Sequence, residues 1–155
     1  MFMCGNSLKD SVIGFVGAGR IGLALLQRLI AFKAKQFLYC GNKAKPSVDS
    51  LGALFVSFDE LLEKSDFVII CCLLNDKTRH MFNTNAFKRM KKTAILINTS
   101  RGAVVDQTAL YNALNNGDIR GAGLDVMEIE PIPVNDPLLS LSNAGMSPLG
   151  EHQFN

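Results

Sequence analysis

Short apolar runs alternate along the chain with segments whose apolar residues recur at helical spacing. Several runs are apolar at consecutive positions, which is typical of strands in a parallel sheet covered by helices on both faces. Strands joined by helices predict βαβ units. The predicted strands are VIGFV from Val12, QFLYC from Gln36, LFV from Leu54, FVIICCLL from Phe67, AILIN from Ala94 and IRGAGLDV from Ile119.

The first helix is predicted from the apolar stripe of Ile21, Leu25 and Leu29 and extends to Phe32. Ser57 and Glu60 form a capping box that begins a second helix over FDELLEK. The alternation of elements predicts an α/β fold with a Rossmann-like, doubly wound parallel sheet and a single cofactor-binding domain.

A third helix is predicted over QTALYNALNN, with Asp106 as its N-cap and Gly117 at the left-handed stop position. The segment after Asp125 contains four prolines, at positions 131, 133, 137 and 148. Proline excludes a regular helix interior and a central strand, so this segment is predicted to be a loop that carries site residues.

Composition narrows the classes of function. The 155 residues are 48% hydrophobic and 19% charged, with a formal net charge of +2, so neither disorder nor a basic nucleic-acid surface is indicated. The four cysteines have no zinc spacing, so no metal site is expected, and they indicate reduced thiols in a cytoplasmic protein. No signal peptide or membrane-spanning run is visible.

The segment VGAGRIG joins the first strand to the first helix and has the GxGxxG spacing of a dinucleotide-binding turn. Gly17 permits the tight turn, Gly19 lets a pyrophosphate approach the backbone, and Gly22 lets helix and strand pack closely. The free N–H groups of the helix N-terminus bind the anion. The predicted cofactor-binding residues of this turn are Gly17, Ala18, Gly19, Arg20, Ile21 and Gly22.

The segment after the second strand favours one cofactor over another. NAD-preferring sites carry an acidic residue at this position to bind the ribose hydroxyls, whereas this chain has Gly41, Asn42, Lys43 and Lys45. Without a carboxylate, and with two lysines, the segment favours NADP(H) over NAD(H). The alternative is a solvated basic loop that binds nothing.

The motifs INTSRGAVVD, after the fifth strand, and GAGLDVMEIEPIP, after the sixth, complete a family pattern. Together with VGAGRIG they resemble the NAD(P)-dependent D-2-hydroxyacid dehydrogenases. Within that family, FLYCGNKAKP and NDPLLSLSN resemble the glyoxylate/hydroxypyruvate reductases. The resemblance implies reversible hydride transfer between a nicotinamide and a short 2-oxo acid, with glyoxylate and hydroxypyruvate as substrates.

The resemblance also implies roles for individual residues. Arg101 matches the arginine that binds the substrate carboxylate and polarises the keto oxygen, and Glu130 matches the glutamate that hydrogen-bonds the catalytic histidine. Glu128 is expected to face solvent, and His80 is expected to be solvated without a role. The residues expected to line the cofactor are Leu73, Leu74, Thr78, Thr99, Ser100 and Asp125.

The family's catalytic histidine is missing from its position. The family ends its site with Pro-His-x-Gly, but this chain has Pro148, Leu149 and Gly150, so either Leu149 replaces the histidine or one residue is deleted. His152 lies three residues further, up to roughly 10 Å away, whereas proton donation needs a contact near about 3 Å. Neither reading leaves an acid in place.

The expected domain organisation is an N-terminal stub over 1–11, an NAD(P)-binding Rossmann domain over 12–145 and a divergent tail over 146–155, without a substrate domain. One hypothesis is the cofactor half of a reductase for small 2-oxo or 2-hydroxy acids. A second is a non-catalytic NADPH-binding or dimerisation module, a homodimer or a partner of a full-length subunit. A third is an unproductive product whose apolar surface is exposed.

Overall fold

The computed structural model describes residues 7–146, which form a seven-stranded parallel sheet with helices on both faces. The strand order is β3-β2-β1-β4-β5-β6-β7, so the sheet grows outward in both directions from β1 and β4. The strands are β1 (Val12–Val16), β2 (Gln36–Cys40), β3 (Ala53–Phe55), β4 (Phe67–Ile70), β5 (Ile95–Asn98), β6 (Gly121–Leu124) and β7 (Ala144–Met146). The predicted Rossmann-like, doubly wound fold is therefore confirmed.

The helices that connect the first strands cover one face of the sheet, and those that connect the later strands cover the other. The α-helices are α1 (Arg20–Leu29), α2 (Pro46–Asp49), α3 (Phe58–Lys64), α4 (Thr84–Arg89) and α5 (Gln107–Asn115), with short 3₁₀ helices at Ile30–Phe32, Gly102–Val104 and Pro137–Ser140. The three predicted helices correspond to α1 with its 3₁₀ extension, α3 and α5. Helices α2 and α4 were not predicted, since each is shorter than two turns and has no recognisable apolar stripe.

The predicted helix caps form as expected, with one difference. Asp106 accepts a hydrogen bond from the N–H of Ala109 at 3.0 Å, and Gly117 has φ +70°. Ser57 Oγ accepts from the N–H of Glu60 at 3.1 Å. The Glu60 carboxylate, however, pairs with Lys64 at 2.7 Å, so only the hydroxyl half of the predicted capping box forms.

Alternate residues of the central strands fill two separate cores. In β4, Val68 and Ile70 face the core that α3, α4 and α5 cover, whereas Phe67 and Ile69 face the core under α1 and α2. All four are buried. This explains why the central strands are apolar at every position, as the sequence pattern indicated.

The boundaries of β3, β4, β5 and β6, and one loop, differ from the sequence prediction. Strand β4 ends at Ile70 rather than Leu74, because its neighbour β1 ends at Val16 and the chain beyond Cys71 has no strand to pair with. Strand β6 spans only Gly121–Leu124. The segment after Asp125 was predicted to be entirely loop, which is wrong: it contains the 3₁₀ helix at Pro137–Ser140 and strand β7.

Candidate functional site

A cleft of about 600 Å³ opens at the carboxyl ends of β1, β2 and β4. Strand order reverses between β1 and β4, which is where open α/β sheets bind their ligands. The residues lining the cleft are Val16, Gly17, Ala18, Gly19, Tyr39, Cys40, Gly41, Asn42, Lys43, Lys45, Val56, Ser57, Phe58, Cys71, Cys72, Leu73, Asn75, Lys77, Thr78 and Met81.

The glycine turn at the floor of the cleft has the geometry that its sequence predicted. Gly17 has φ +94°, and a Cβ there would lie 2.7 Å from the backbone of Cys72. A Cβ at Gly22 would lie 2.5 Å from the carbonyl oxygen of Gly17, so α1 packs directly on the turn. Gly19, by contrast, has no protein atom within 4 Å of its Cβ position. The open side of the turn therefore faces the cleft at Gly19.

Helix α1 begins directly after this turn and presents unpaired backbone N–H groups. Gly19 is its N-cap and supplies no side-chain hydrogen bond, and the first turn contains no acidic residue. The N-terminal N–H groups and the positive end of the helix dipole together attract an anion. The turn thus fits a pyrophosphate. Arg20 and Ile21 lie at this helix end and are exposed, although they do not line the cleft.

The loop after β2 forms one wall of the cleft. Gly41, Asn42 and Lys43 line it and are exposed, and no carboxylate follows the strand before Asp49. The ammonium of Lys45 instead donates to the carbonyl oxygen of Ala18, at 2.9 Å. The predicted residues of this loop therefore line the same cleft as Gly17, Ala18 and Gly19 of the glycine turn.

Tyr39 is a buried residue of this wall that sequence reasoning missed. Its hydroxyl accepts from the N–H of Lys45 at 2.7 Å and donates to Asp49 Oδ1 at 2.6 Å. Burial, and then the bond to Asp49, raise the pKa of Tyr39, so the phenol stays protonated at neutral pH. A tyrosine one residue before the end of a strand gave no sequence signal, since aromatic residues are common in strands.

Three thiols line the inner part of the cleft. Burial raises the pKa of Cys40 to about 12 and that of Cys71 to about 11, and it also raises the pKa of Cys72. All three are therefore neutral thiols at physiological pH and contribute apolar surface to the cleft. All three are free cysteines.

The loop between β4 and α4 forms the opposite wall. Thr78 holds this loop by donating to the carbonyl oxygen of Leu73 at 2.7 Å and accepting from the N–H of Asn75 at 2.8 Å. Leu73 is 82% exposed and lines the cleft, whereas Leu74 packs against the core and does not. Asn75, Lys77 and Met81 of the same part of the chain also line the cleft but were not predicted.

A buried asparagine shapes the loop that carries Arg101. Asn98, the last residue of β5, is 1% exposed. Its amide oxygen accepts from the N–H of Ser100 at 3.1 Å, and its amide nitrogen donates to the carbonyl oxygen of Arg101 at 3.1 Å. Asn98 was missed, although a polar residue that ends an apolar strand is a usable signal for a loop-shaping side chain.

Arg101 itself lies beside the cleft and not in its lining. The Ser100 hydroxyl donates to the carbonyl oxygen of Cys72, which links the end of β5 to the wall of the cleft. The exposed Arg101 guanidinium donates to the carbonyl oxygen of Ser100 at 2.7 Å. Thr99, the residue before Ser100, is exposed.

The loop that carries Glu130 passes directly over Gly102. A Cβ at Gly102 would lie 1.9 Å from the carbonyl carbon of Met127 and 2.3 Å from the nitrogen of Glu128. Glu130 is exposed and accepts from the N–H of Met127 at 2.8 Å. Asp125 is exposed, and its N–H donates to the carbonyl oxygen of Asn98 at 3.0 Å. The segments INTSRGAVVD and GAGLDVMEIEPIP are therefore adjacent in space.

One side-chain contact near this loop was not predicted. Glu128 is exposed, as expected, and His80 is partly exposed, but His80 Nε2 also lies 2.6 Å from Glu128 Oε1. The pair joins the loop after β4 to the loop after β6, and the two side chains are 41% and 28% exposed. The sequence separation of 48 residues gave no sign of this contact. Leu149, Pro148, Gly150 and His152 lie outside the described residues.

Residues 7–146 show neither a metal site nor a helix that could span a membrane. Within this range no group of three or more histidine, cysteine, aspartate or glutamate side chains could hold a metal ion. The helices of the same range are all too short or too polar to cross a membrane.

Comparison with known proteins agrees with the geometry. The family described as D-isomer specific 2-hydroxyacid dehydrogenase, NAD binding domain, matches residues 1–149. The human glyoxylate reductase/hydroxypyruvate reductase is 44% identical over 149 residues, 96% of this chain and 45% of that protein. The glyoxylate reductase of Korarchaeum cryptofilum (strain OPF8) is 47% identical over 148 residues, again 96% of this chain and 45% of that protein.

A solved structure gives the same result in three dimensions. The glyoxylate reductase from Paecilomyes thermophila superposes with a TM-score of 0.87 at 36% identity, over 98% of this chain and 46% of that one. The chain thus spans about 45% of the length of the curated relatives it matches. It belongs to the D-isomer specific 2-hydroxyacid dehydrogenase family and contains the NAD binding domain of that family.

Proposed function

We propose that this chain is the cofactor-binding half of an NAD(P)H-dependent reductase of short 2-oxo acids, of the glyoxylate/hydroxypyruvate reductase type. The observation that carries the proposal is the position of Arg101. This residue follows the end of β5, next to Ser100, whose hydroxyl donates to the carbonyl oxygen of Cys72 in the wall of the dinucleotide cleft. Relatives named for glyoxylate and hydroxypyruvate reduction support the substrate class. The bound dinucleotide supplies the hydride.

The residues of the chain would orient the reactants. The N–H groups after Gly19 would bind the pyrophosphate, and Leu73 and Thr78 would contact the cofactor from the opposite wall. The Arg101 guanidinium would release the carbonyl of Ser100 and pair with the substrate carboxylate, for which its planar fork is suited. Asp125, Thr99 and Leu74 are further family positions near the nicotinamide and adenine ends.

NADP(H) is the proposed cofactor in preference to NAD(H). A 2′-phosphate carries a negative charge that a carboxylate at the end of β2 would repel, and this chain has Gly41, Asn42 and Lys43 there. Lys43 is exposed at the wall of the cleft and presents a positive charge to that phosphate. The net preference follows from these charges and from the absence of an acidic side chain over 41–45.

The proposed reductase lacks the histidine that would donate a proton to the substrate. Glu130 matches the partner of a histidine, but the histidine position holds Leu149 or is deleted. Loss of a general acid lowers a rate by about 10² to 10⁴. The chain alone is therefore expected to bind the dinucleotide and to turn over substrate weakly or not at all.

A second candidate function is a non-catalytic module that binds NADPH or pairs with a second copy or a full-length subunit. Leu149 at the position of the acid favours it. In this case 12–145 would be the binding domain, flanked by the stub over 1–11 and the tail over 146–155.

One experiment separates the two candidates. The purified chain is titrated with NADPH and NADH by calorimetry, and hydroxypyruvate reduction is then assayed with the unmodified chain and with Leu149→His. Restored turnover in Leu149→His supports the reductase. Binding without turnover in either protein supports the module. If neither dinucleotide binds below millimolar concentration, both candidates are wrong.

A further inference from the structure

The side chain of Lys45 is fixed by a hydrogen bond within the protein, unlike that of a lysine on a solvated loop. It lies after β2, and its ammonium donates to the carbonyl oxygen of Ala18, the residue between the first two glycines of the turn, at 2.9 Å. Ala18 is buried and Lys45 is half-buried. The contact joins segments that are 27 residues apart in sequence and that form the floor and one wall of the cleft.

The backbone of Lys45 is fixed as well. Its N–H donates to the Tyr39 hydroxyl at 2.7 Å, and that hydroxyl donates to Asp49 at 2.6 Å. Its carbonyl oxygen accepts from the N–H groups of Val48 and Asp49, at 2.8 and 3.0 Å. Tyr39 is 1% exposed, and its ring packs on Phe55 with centroids 5.2 Å apart. A buried phenol therefore sets the point from which the Lys45 side chain extends.

The bond to Ala18 has a consequence for the glycine turn. The peptide group is planar and trans, so the carbonyl of Ala18 and the N–H of Gly19 point in opposite directions. Because Lys45 fixes the carbonyl, it also fixes the direction of the Gly19 N–H at the start of α1. Lys43 differs, since within residues 7–146 its ammonium has no bonded partner and it lies exposed at the cleft.

We propose that Lys45, held by Tyr39 and Asp49, is a positioning residue that keeps the glycine turn in its binding geometry. It strengthens the binding of NADH and NADPH alike and leaves recognition of the 2′-phosphate to Lys43. This inference rests on the proposed function, because it requires that the cleft binds these dinucleotides.

The test compares three variants by calorimetric titration with NADH and with NADPH. Lys45→Met keeps most of the apolar stem and removes the donor, so we expect both dissociation constants to rise by about 10-fold, the size of one lost charge-assisted hydrogen bond. Tyr39→Phe keeps the ring and the lysine, and we expect a parallel rise of about 3-fold. Lys43→Met is the matched control and should weaken NADPH binding alone.

Other outcomes overturn the inference. If Lys45→Met weakens only NADPH binding, Lys45 is a phosphate ligand; if it weakens neither, the bond to Ala18 has no role in binding. If the unmodified chain binds neither dinucleotide, the proposed function fails first and this role fails with it. Thermal unfolding of each variant, together with amide hydrogen exchange at Gly17, whose N–H donates to the carbonyl oxygen of Cys40 at 3.0 Å, separates a local change in the turn from loss of the fold. Exchange at Gly17 that Lys45→Met leaves unchanged would also count against the inference.

Discussion

At the scale of single residues, the three glycines of the turn do not all occur for the same physical reason. The protein itself leaves no room for a side chain at Gly17 or Gly22. A Cβ at Gly17 would lie 2.7 Å from the backbone of Cys72, and a Cβ at Gly22 would lie 2.5 Å from the carbonyl oxygen of Gly17. Gly19 has free space around its Cβ position and a φ of −74° that any residue adopts. The protein itself therefore does not require a glycine at position 19, and substitution there tests binding separately from folding.

Gly19→Ala should leave the stability of the fold unchanged and weaken dinucleotide binding by at least about 10-fold, because the added methyl group would lie where a pyrophosphate approaches. Calorimetric titration and thermal unfolding measure the two effects. Gly123→Ala in β6 is the control, since its Cβ position is equally open and Gly123 does not line the cleft. Equal affinities for Gly19→Ala and the unmodified chain would contradict a pyrophosphate site at this turn.

His80 combines a backbone cost with a side-chain contact. Its φ of +51° is unfavourable for a residue with a Cβ, and its ring pairs with Glu128. His80→Ala and His80→Gly both remove the pair, but only glycine relieves the backbone. We expect His80→Ala to be less stable than His80→Gly by about 1 kcal/mol, measured by urea unfolding. Equal stabilities would show that the left-handed conformation is absent in solution.

At the scale of elements, the loops at the carboxyl ends of β4, β5 and β6 hold one another. Asn98 shapes the turn at Arg101, Ser100 bonds the loop after β4, and His80 joins that loop to Glu128. These contacts connect the wall of the cleft to the loop that carries Glu130. The strands set the direction in which each loop begins, and side-chain hydrogen bonds set the path of the loop beyond the strand.

Gly102→Ala should disrupt this set of loops. Its Cβ would lie 1.9 Å from Met127, so the backbone over 126–128 must move, and overpacking of this kind costs about 1–3 kcal/mol. Denaturant unfolding measures the loss. Gly41→Ala, whose Cβ meets no protein atom within 4 Å, is the control for stability and should cost nothing comparable. A Gly102→Ala chain as stable as the control would contradict the close approach of the two loops.

At the scale of the whole molecule, Asp66 links β1, β4 and the segment before β5. Its carboxylate accepts from the N–H of Val12 at 2.8 Å and from Lys91 at 2.8 Å. Burial alone would raise the pKa of Asp66, but the hydrogen bonds from Lys91 and Val12 outweigh burial, and the net pKa lies below its usual value. The folded state therefore binds the Asp66 proton less tightly than the unfolded chain does.

The stability that Asp66 contributes should be complete above its unfolded pKa of about 3.9 and lost as pH falls through its lower folded pKa. Urea unfolding between about pH 2 and pH 6 measures this dependence. Asp66→Asn should be less stable at neutral pH and should have a shallower acid dependence. An acid profile of Asp66→Asn that is parallel to that of the unmodified chain would contradict this role of the carboxylate.

The sequence by itself determined the α/β class, the parallel sheet, the main helices and the glycine turn. These features depend on local periodicity, on caps such as Asp106 and on glycines that a turn requires, all of which are visible within a few residues. The end of β4 at Ile70 was not predictable in this way, because a strand ends where its neighbour ends. Strand β7 was missed since Ala144–Met146 is a strand only through its pairing with β6.

Tertiary structure alone decided which side chains meet. Three contacts join separate segments of the chain: the Tyr39 hydroxyl with the N–H of Lys45, the Lys45 ammonium with the carbonyl oxygen of Ala18, and His80 with Glu128. Which segments meet follows from the order of the strands in the sheet. Sequence motifs predicted Lys45 and Arg101 as site residues, but did not predict what holds each of them in place. Hydrogen bonds depend on distances of about 3 Å between atoms that the fold brings together, and no spacing along the chain encodes those distances.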